Sequence, residues 1–241
     1  MRRRFFVDAF DAGRAVLAGD AAHHLGKVLR AEPGQLYELS DGTSVWLGKI
    51  EFARKDQIEF SLVEPIPVRT SSLDTTLLLA VVKFDAFEWA IEKATELGVN
   101  RIVPLAAARS EKGLLTAAGK RAERWKRILF ESSQQSRRVR LPVLETMMNS
   151  EDAFAASDPV LRVMLSERSD AQPLRKILHD RTADSVALAI GPEGGWTDEE
   201  FSAAHGAGFE EASLGSLILR TETAVTACLA AVNYALEDGG K

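Results

Sequence analysis

The chain has one cysteine in 241 residues, Cys228, which excludes an internal disulfide framework and any cysteine-rich zinc site and suits a reducing compartment. Its four histidines, His23, His24, His179 and His205, fall into no metal-ligand spacing, so no metal is expected. Long apolar runs are missing as well: nothing approaches the ~20 residues needed to span a bilayer. The opening Met1-Arg2-Arg3-Arg4-Phe5-Phe6 meets Asp8 and Asp11 before any signal-like core develops. A cytoplasmic protein without a membrane partner is the expectation. Positive charge is not in surplus either. Thirty Lys and Arg stand against 35 Asp and Glu, a net charge of -5, so nucleic-acid binding by bulk charge is excluded and only local basic patches remain. What is present suffices for a buried core, with 46% hydrophobic and 27% charged residues.

The chain changes rhythm near residue 72. Up to that point ten basic residues balance ten acidic ones. The spacing predicts strands at Gln35–Leu39 and Ser44–Ile50 around an Asp41-Gly42 turn, and another at Gln57–Val63. Glu64-Pro65-Ile66-Pro67 ends this pattern. Beyond it, Thr76–Val82 is a continuous apolar run, as expected of a strand covered on both faces. A helix is predicted over Ala86–Leu97, stopped by Gly98, and further strands at Arg101–Leu105, Val160–Leu165, Val186–Ile190 and Ala212–Leu214. Residues 120–136 place Trp125, Ile128, Leu129 and Ser132 on one helical face, and Pro173–His179 reads as a short helix. Thr197 and Glu200 form a capping box, and residues 222–237 close the chain as a helix carrying Val225, Cys228, Leu229 and Val232. The fold class is α/β: a small β-rich domain (residues 1–72) and a mostly parallel α/β domain (residues 73–241).

Two stretches carry chemistry. Gly191-Pro192-Glu193-Gly194-Gly195 lies between a buried strand and a capped helix, where open α/β sheets bind ligands. It fits neither the dinucleotide nor the P-loop fingerprint, and it reads equally as a tight strand–helix turn. Leu214-Gly215 leads through Leu219 into Arg220-Thr221-Glu222-Thr223-Ala224. Helix capping by Thr221 and the helix dipole account for Thr221 and Glu222. They leave Arg220 a cation at the positive end of a helix, which an anionic ligand or partner carboxylate would resolve.

Together these motifs resemble the SPOUT methyltransferases that methylate uridine N3 in 16S ribosomal RNA. Lys83 with Glu92–Val99, Arg124-Trp125 through Gln135-Ser136, Arg3-Arg4-Phe5-Phe6-Val7, and His24-Leu25 through Arg30 resemble further parts of that family, so the likeness covers nearly the whole chain. Trp196 stands where phenylalanine is usual, Arg137 where glycine follows Gln-Ser, and Leu217 where arginine is common.

The resemblance implies a PUA-like β-barrel RNA-binding domain, then a SPOUT domain with a deep C-terminal trefoil knot clasping S-adenosylmethionine. It also implies a homodimer acting on 16S rRNA of the small ribosomal subunit. The implied cofactor walls are Leu165, Ser166 and Glu167; Gly191, Pro192, Glu193, Gly194 and Gly195; and Leu214, Gly215, Leu219, Thr221, Thr223 and Ala224. Glu193 is a candidate ribose acceptor or a turn cap. Removing the uridine N3 proton calls for a base and a stabiliser of the resulting charge. Arg220 is the candidate stabiliser, and Glu222 the candidate base or simply a first-turn acid. RNA contacts are expected from Arg2, Arg3, Arg4, Lys27 and Arg30, and from Arg124, Arg137, Arg138 and Arg140 within residues 120–141, where eight basic residues face two acidic ones. Phe5, Phe6, Cys228 and the His23-His24 pair are read as structural. Methylation of another position or of a ribose 2′-hydroxyl, a non-catalytic ribosome-assembly factor and a nucleotide-binding enzyme are the competing readings.

Overall fold

The computed structural model describes residues 3–28, 30–54, 56–68 and 71–236. The chain divides into two compact units. The first comprises Met1–Thr70 together with Ser133–Leu141, and the second comprises Ser71–Ser132 with Pro142–Lys241. The second stretch of the first unit was not legible in the sequence, which reads as a single division near residue 72.

In the first unit, β1 (Arg4–Phe6), β2 (Phe10–Asp11), β3 (Arg14–Ala18), β4 (Leu36–Ser40), β5 (Val45–Ala53) and β6 (Gln57–Pro65) form one mixed sheet in the order β1-β4-β5-β6-β3-β2. Only β1 and β4 run parallel. A short helix, α1 (Gly19–His23), continues into a π-helical turn at His24–Val28. The Asp41-Gly42 turn joins β4 to β5 as the sequence predicts. The Asp41 carboxylate accepts the Thr43 and Ser44 amides at 2.9 and 2.8 Å, and those bonds hold its pKa below the ordinary aspartate value despite some burial. Phe5 is buried and meets Tyr37 edge-on at 5.6 Å, within a core that includes Leu17, Leu25, Leu39, Ile50, Ile58 and Phe60.

The second unit is built on eight parallel strands, β7 (Asp74–Ala80), β8 (Arg101–Ala106), β9 (Val143–Leu144), β10 (Met148–Asn149), β11 (Leu161–Leu165), β12 (Gln172–Pro173), β13 (Ser185–Ile190) and β14 (Glu210–Ser213). Their order is β10-β8-β7-β13-β11-β14-β12, with β9 paired to β8. Helices α2 (Phe84–Glu96), α3 (Lys112–Ala118), α4 (Ala122–Gln135), α5 (Ser150–Ala155), α6 (Leu174–Leu178) and α7 (Asp198–Gly206) lie between them in the chain, and α8 (Thr221–Leu236) follows the last strand. Side chains alternate along β7, β11 and β13, so the sheet feeds two cores. Leu77, Leu79, Val163, Leu188 and Ile190 meet α2, α4, α6 and α8 through residues such as Phe87, Ile91, Trp125, Ile177, Val225 and Leu229. Leu78, Met164, Ala187 and Ala189 meet Phe154, Trp196, Phe201 and Phe209 on the other face. Burial on both faces is why these strands read as unbroken apolar runs.

Helix α2 ends as its glycine signals: Gly98 has φ +92°, its amide bonds the Thr95 carbonyl, and the Val99 amide bonds the Ala94 carbonyl. The capping box is present, with the Thr197 hydroxyl accepting from the Glu200 amide and the Glu200 carboxylate from the Thr197 amide. Cys228 is fully buried in α8, and burial pushes its thiol up to about 12. No helix among the described residues is long and apolar enough to cross a membrane.

Candidate cofactor site

In the second unit the three adjacent strands β13, β11 and β14 end side by side, and the segment leaving each one contributes a wall to a cavity of about 500 Å³. Leu165-Ser166-Glu167-Arg168 leaves β11, Gly191–Trp196 leaves β13, and Leu214–Thr221 leaves β14. Hydrogen bonds fix these segments to one another. The Trp196 indole donates to the Leu165 carbonyl at 3.0 Å, the Ser166 amide to the Ala212 carbonyl at 2.8 Å, and the Thr221 hydroxyl to the Gly191 carbonyl at 3.1 Å.

Glycine is required at two points of the middle wall. A Cβ on Gly191 would lie 2.9 Å from Trp196 Cε2, inside the ring's contact distance. Gly195 has φ +69° and closes a turn through its amide to the Pro192 carbonyl at 2.8 Å. That backbone bond does the turn-capping that the Glu193 carboxylate offered. Glu193 itself is exposed at the cavity wall.

Of the residues anticipated as cofactor walls, Leu165, Ser166, Glu167, Gly191, Pro192, Glu193, Gly195, Leu214, Gly215, Leu219, Thr221 and Ala224 line this cavity, and so does Arg220. Gly194 and Thr223 do not, and neither does Glu222, which sits half-buried in the first turn of α8. Thr221 does not cap α8. The Arg220 carbonyl accepts the first helical bond, from Ala224, which makes Arg220 the capping residue and frees the Thr221 hydroxyl for the glycine loop. Arg109, Arg168, Asp198 and Phe201 also line the cavity, and none of them was anticipated from the sequence. Arg109 was reachable in principle, because it follows a strand of the same parallel sheet at the ligand-binding edge.

The lining mixes apolar surface with charges of both signs. Arg168 pairs with Asp198 and lies over the Phe201 ring at 3.9 Å. Arg109 donates to the Gly194 carbonyl at 2.8 Å. The Arg220 guanidinium has neither an ion pair nor a hydrogen bond among the described residues, so the tension noted in the sequence persists: a free cation at a helix start, facing a cavity. Among the described residues no group of three or more His, Cys, Asp or Glu is placed to hold a metal ion.

The basic residues divide by environment. Arg4 is corrected: it is 5% exposed, pairs with Glu38 at 2.9 Å and donates to the Arg137 carbonyl, so its guanidinium is used inside the first unit. Arg124 pairs with Glu88 at 2.7 Å while remaining partly exposed. Arg137 faces Glu38 at 3.6 Å and has φ +57°, a conformation that glycine adopts without strain. Arg138 donates to the Arg140 carbonyl, and burial followed by the Arg140 charge lowers its guanidinium to about 10, still protonated at neutral pH. Arg3, Lys27, Arg30 and Arg140 are exposed. Arg2 lies outside the described residues. Segment 133–141 thus brings Arg137, Arg138 and Arg140 into the same compact unit as Arg3, Lys27 and Arg30.

Comparison with known proteins agrees with this arrangement. A family model described as an RNA methyltransferase domain matches residues 69–233, and an RNA methyltransferase PUA domain matches residues 17–63. The ribosomal RNA small subunit methyltransferase E of a Synechocystis species is 34% identical over 220 residues, covering 89% of this chain and 71% of the relative. Its namesake in Mycobacterium bovis is 30% identical over 243 residues, covering 95% and 90%. Among solved structures, the Neisseria gonorrhoeae ribosomal RNA small subunit methyltransferase E bound to S-adenosyl methionine superposes with a TM-score of 0.88 at 28% identity, over the full length of both chains. A Legionella pneumophila methyltransferase in complex with the same cofactor gives 0.88 at 29% identity, over 99% of both.

Proposed function

The chain belongs to the RNA methyltransferase family of the ribosomal RNA small subunit methyltransferases E, and from that membership we propose that its C-terminal cavity binds S-adenosylmethionine and that it methylates N3 of a uridine in 16S rRNA of the small ribosomal subunit. One observation carries the reading: three strand-end segments, hydrogen-bonded to one another, enclose a single cavity faced by Arg220, which is unpaired among the described residues. Its volume of about 500 Å³ falls in the range of small-molecule sites. The walls suit a ligand that joins an apolar purine, a cationic sulfur and an amino-acid head. Leu165, Ile190, Leu214 and Leu219 supply apolar surface, and Glu167 and Glu193 supply carboxylates. A Cβ at Gly195 would fall 3.2 Å from the Glu167 carboxylate, so side-chain-free backbone keeps space between two walls.

When bound, the cofactor supplies an activated methyl group. The residues of the chain hold the reactants in line, which in such displacements provides much of the rate. The Arg220 guanidinium donates hydrogen bonds to a uracil carbonyl oxygen, offsetting the negative charge left once N3 loses its proton. Glu222 fits a first-turn acid of α8 better than a base, since it stands outside the cavity lining. Arg3, Lys27, Arg30, Arg137, Arg138 and Arg140 hold RNA phosphates on the first unit, and Arg124, paired with Glu88, is a separate phosphate contact on the second. The knotted C-terminal path that the resemblance implies and a cytoplasmic homodimer belong to the same reading.

The test is Arg220→Ala, with calorimetry for S-adenosylmethionine and methyl mapping on small subunits from a strain lacking the enzyme. Cofactor binding is expected to persist while methylation falls at least a hundredfold, as when one oxyanion-stabilising donor is removed. Loss of cofactor binding in this variant would make Arg220 a wall residue, and a methyl group mapped elsewhere would remove the N3 assignment.

A further inference from the structure

Arg109 lies beyond β8 and reaches the cavity from a clamped base. The Ala108 amide donates to the buried Glu200 carboxylate at 3.0 Å. Ser110 donates from its hydroxyl to the Val81 carbonyl at 2.8 Å and from its amide to the Ala107 carbonyl at 3.0 Å. With both neighbours fixed, the side chain extends past β7, which lies between β8 and β13, to the glycine loop. Its guanidinium donates to the Gly194 carbonyl at 2.8 Å, and its stem lies against the Gly194 α-carbon, where a Cβ would stand 3.2 Å from Arg109 Cβ and 3.5 Å from Cδ. Two consecutive glycines give a loop unusual freedom, so a tether on the first restricts the second, which lines the cavity. The loop is then held at both ends, by Thr221 on Gly191 and by Arg109 on Gly194.

We propose that Arg109 is a positioning residue that holds the Gly194–Gly195 wall in its cofactor-receiving shape, and so sets the affinity for the methyl donor without contacting RNA. This rests on the reading of the cavity as the S-adenosylmethionine site. The competing role is a phosphate contact, because Arg109 is exposed and its guanidinium has further N–H groups.

The experiment compares full-length wild type, Arg109→Ala, Arg109→Lys, Gly194→Ala and the Arg109→Ala/Gly194→Ala double variant. Calorimetry reads S-adenosylmethionine affinity, and steady-state methylation of small subunits reads KM for each substrate. Arg109→Ala is expected to weaken cofactor binding about tenfold, the low end for a hydrogen bond from a charged donor because this one is solvent-accessible. KM for the donor should rise in step and KM for RNA should stay at the wild-type value. Arg109→Lys should recover part of the loss. Gly194→Ala and Arg109→Ala disturb the same loop contact, so the double variant should lose less than the sum of the two single losses. Unchanged cofactor affinity, additive losses, or a change confined to KM for RNA would overturn the proposal. Should Arg109→Ala not fold, Arg109→Lys and Gly194→Ala carry the same comparison. If wild type itself fails to bind S-adenosylmethionine, the reading of the cavity fails first and the proposal goes with it. Normal binding by wild type and by every variant sinks the proposal alone.

Discussion

Glu200 offers the sharpest stability test in the second unit. Its side chain is buried, and its two carboxylate oxygens accept three hydrogen bonds from three separate segments. These come from the Ala108 amide at 3.0 Å, the Ser150 hydroxyl at 2.8 Å and the Thr197 amide at 2.9 Å. Glu200→Ala strands two partly buried amides and a buried hydroxyl at once. A hydrogen bond to a charged acceptor contributes about 1.5–3 kcal/mol, and local relaxation returns part of the sum, so the loss should be about 3–5 kcal/mol. For a chain of this size that lowers Tm by about 6–20 °C. Glu200→Gln keeps one acceptor oxygen but turns an NH2 toward the remaining donors, and should lose about half as much. Urea unfolding followed by circular dichroism gives the free energy, and amide hydrogen exchange at Ala108 gives the local effect. A Glu200→Ala protein within 1 kcal/mol of wild type, with Ala108 still protected, would refute the network's importance.

Three further outcomes follow from geometry. Gly191→Ala should abolish measurable cofactor binding by driving a methyl group into Trp196, and Trp196→Phe in the same chain should restore part of it; calorimetry that finds binding intact in Gly191→Ala contradicts this. Arg4→Ala should destabilise the first unit by about 3 kcal/mol, because it leaves Glu38 buried with only the more distant Arg137. Slowed-exchange amides in β4 and β5 report it, and undiminished protection there would return Arg4 to the phosphate-binding set. The Cys228 thiol should resist disulfide reagents in the native state. Because its pKa rises from 9.0 to about 12 on folding, the folded protein holds the proton more tightly; the associated stability is complete below pH 9 and is lost as pH climbs toward 12. Cys228→Ala should show a shallower loss over that interval, and equal slopes would contradict the burial.

Much of the second unit was legible because its strands are buried on both faces and its helices carry explicit punctuation. Gly98 stopped α2 by its left-handed φ, and Thr197 with Glu200 opened α7 one residue after the cap. The strands β1, β2 and β3 were not anticipated; the first two hold three and two residues, too few to establish an alternation. Glycine spacing exposed the middle wall of the cavity, since a turn that must pass under an indole ring leaves a mark in the chain. Arg109 left only its place after a strand, because the carbonyl it bonds lies 85 residues away. Arg4 misled for a related reason. Three successive arginines look alike in sequence, and only the fold shows that this one faces inward to Glu38.

The assignment of segment 133–141 to the first unit bears on how the protein is made. Ser40 donates its hydroxyl to the Val139 carbonyl, and Arg4 reaches the Arg137 carbonyl, so the N-terminal sheet, whose six strands all lie within residues 4–65, makes these contacts with chain synthesised some hundred residues later. During translation the strands of that sheet emerge first, yet the unit lacks its second segment until residue 141 has cleared the ribosome, by which time β7, α2 and β8 are already outside. A gene fragment ending near residue 72 therefore encodes an unfinished module, and shuffling this unit between proteins would require moving two separate pieces of coding sequence together.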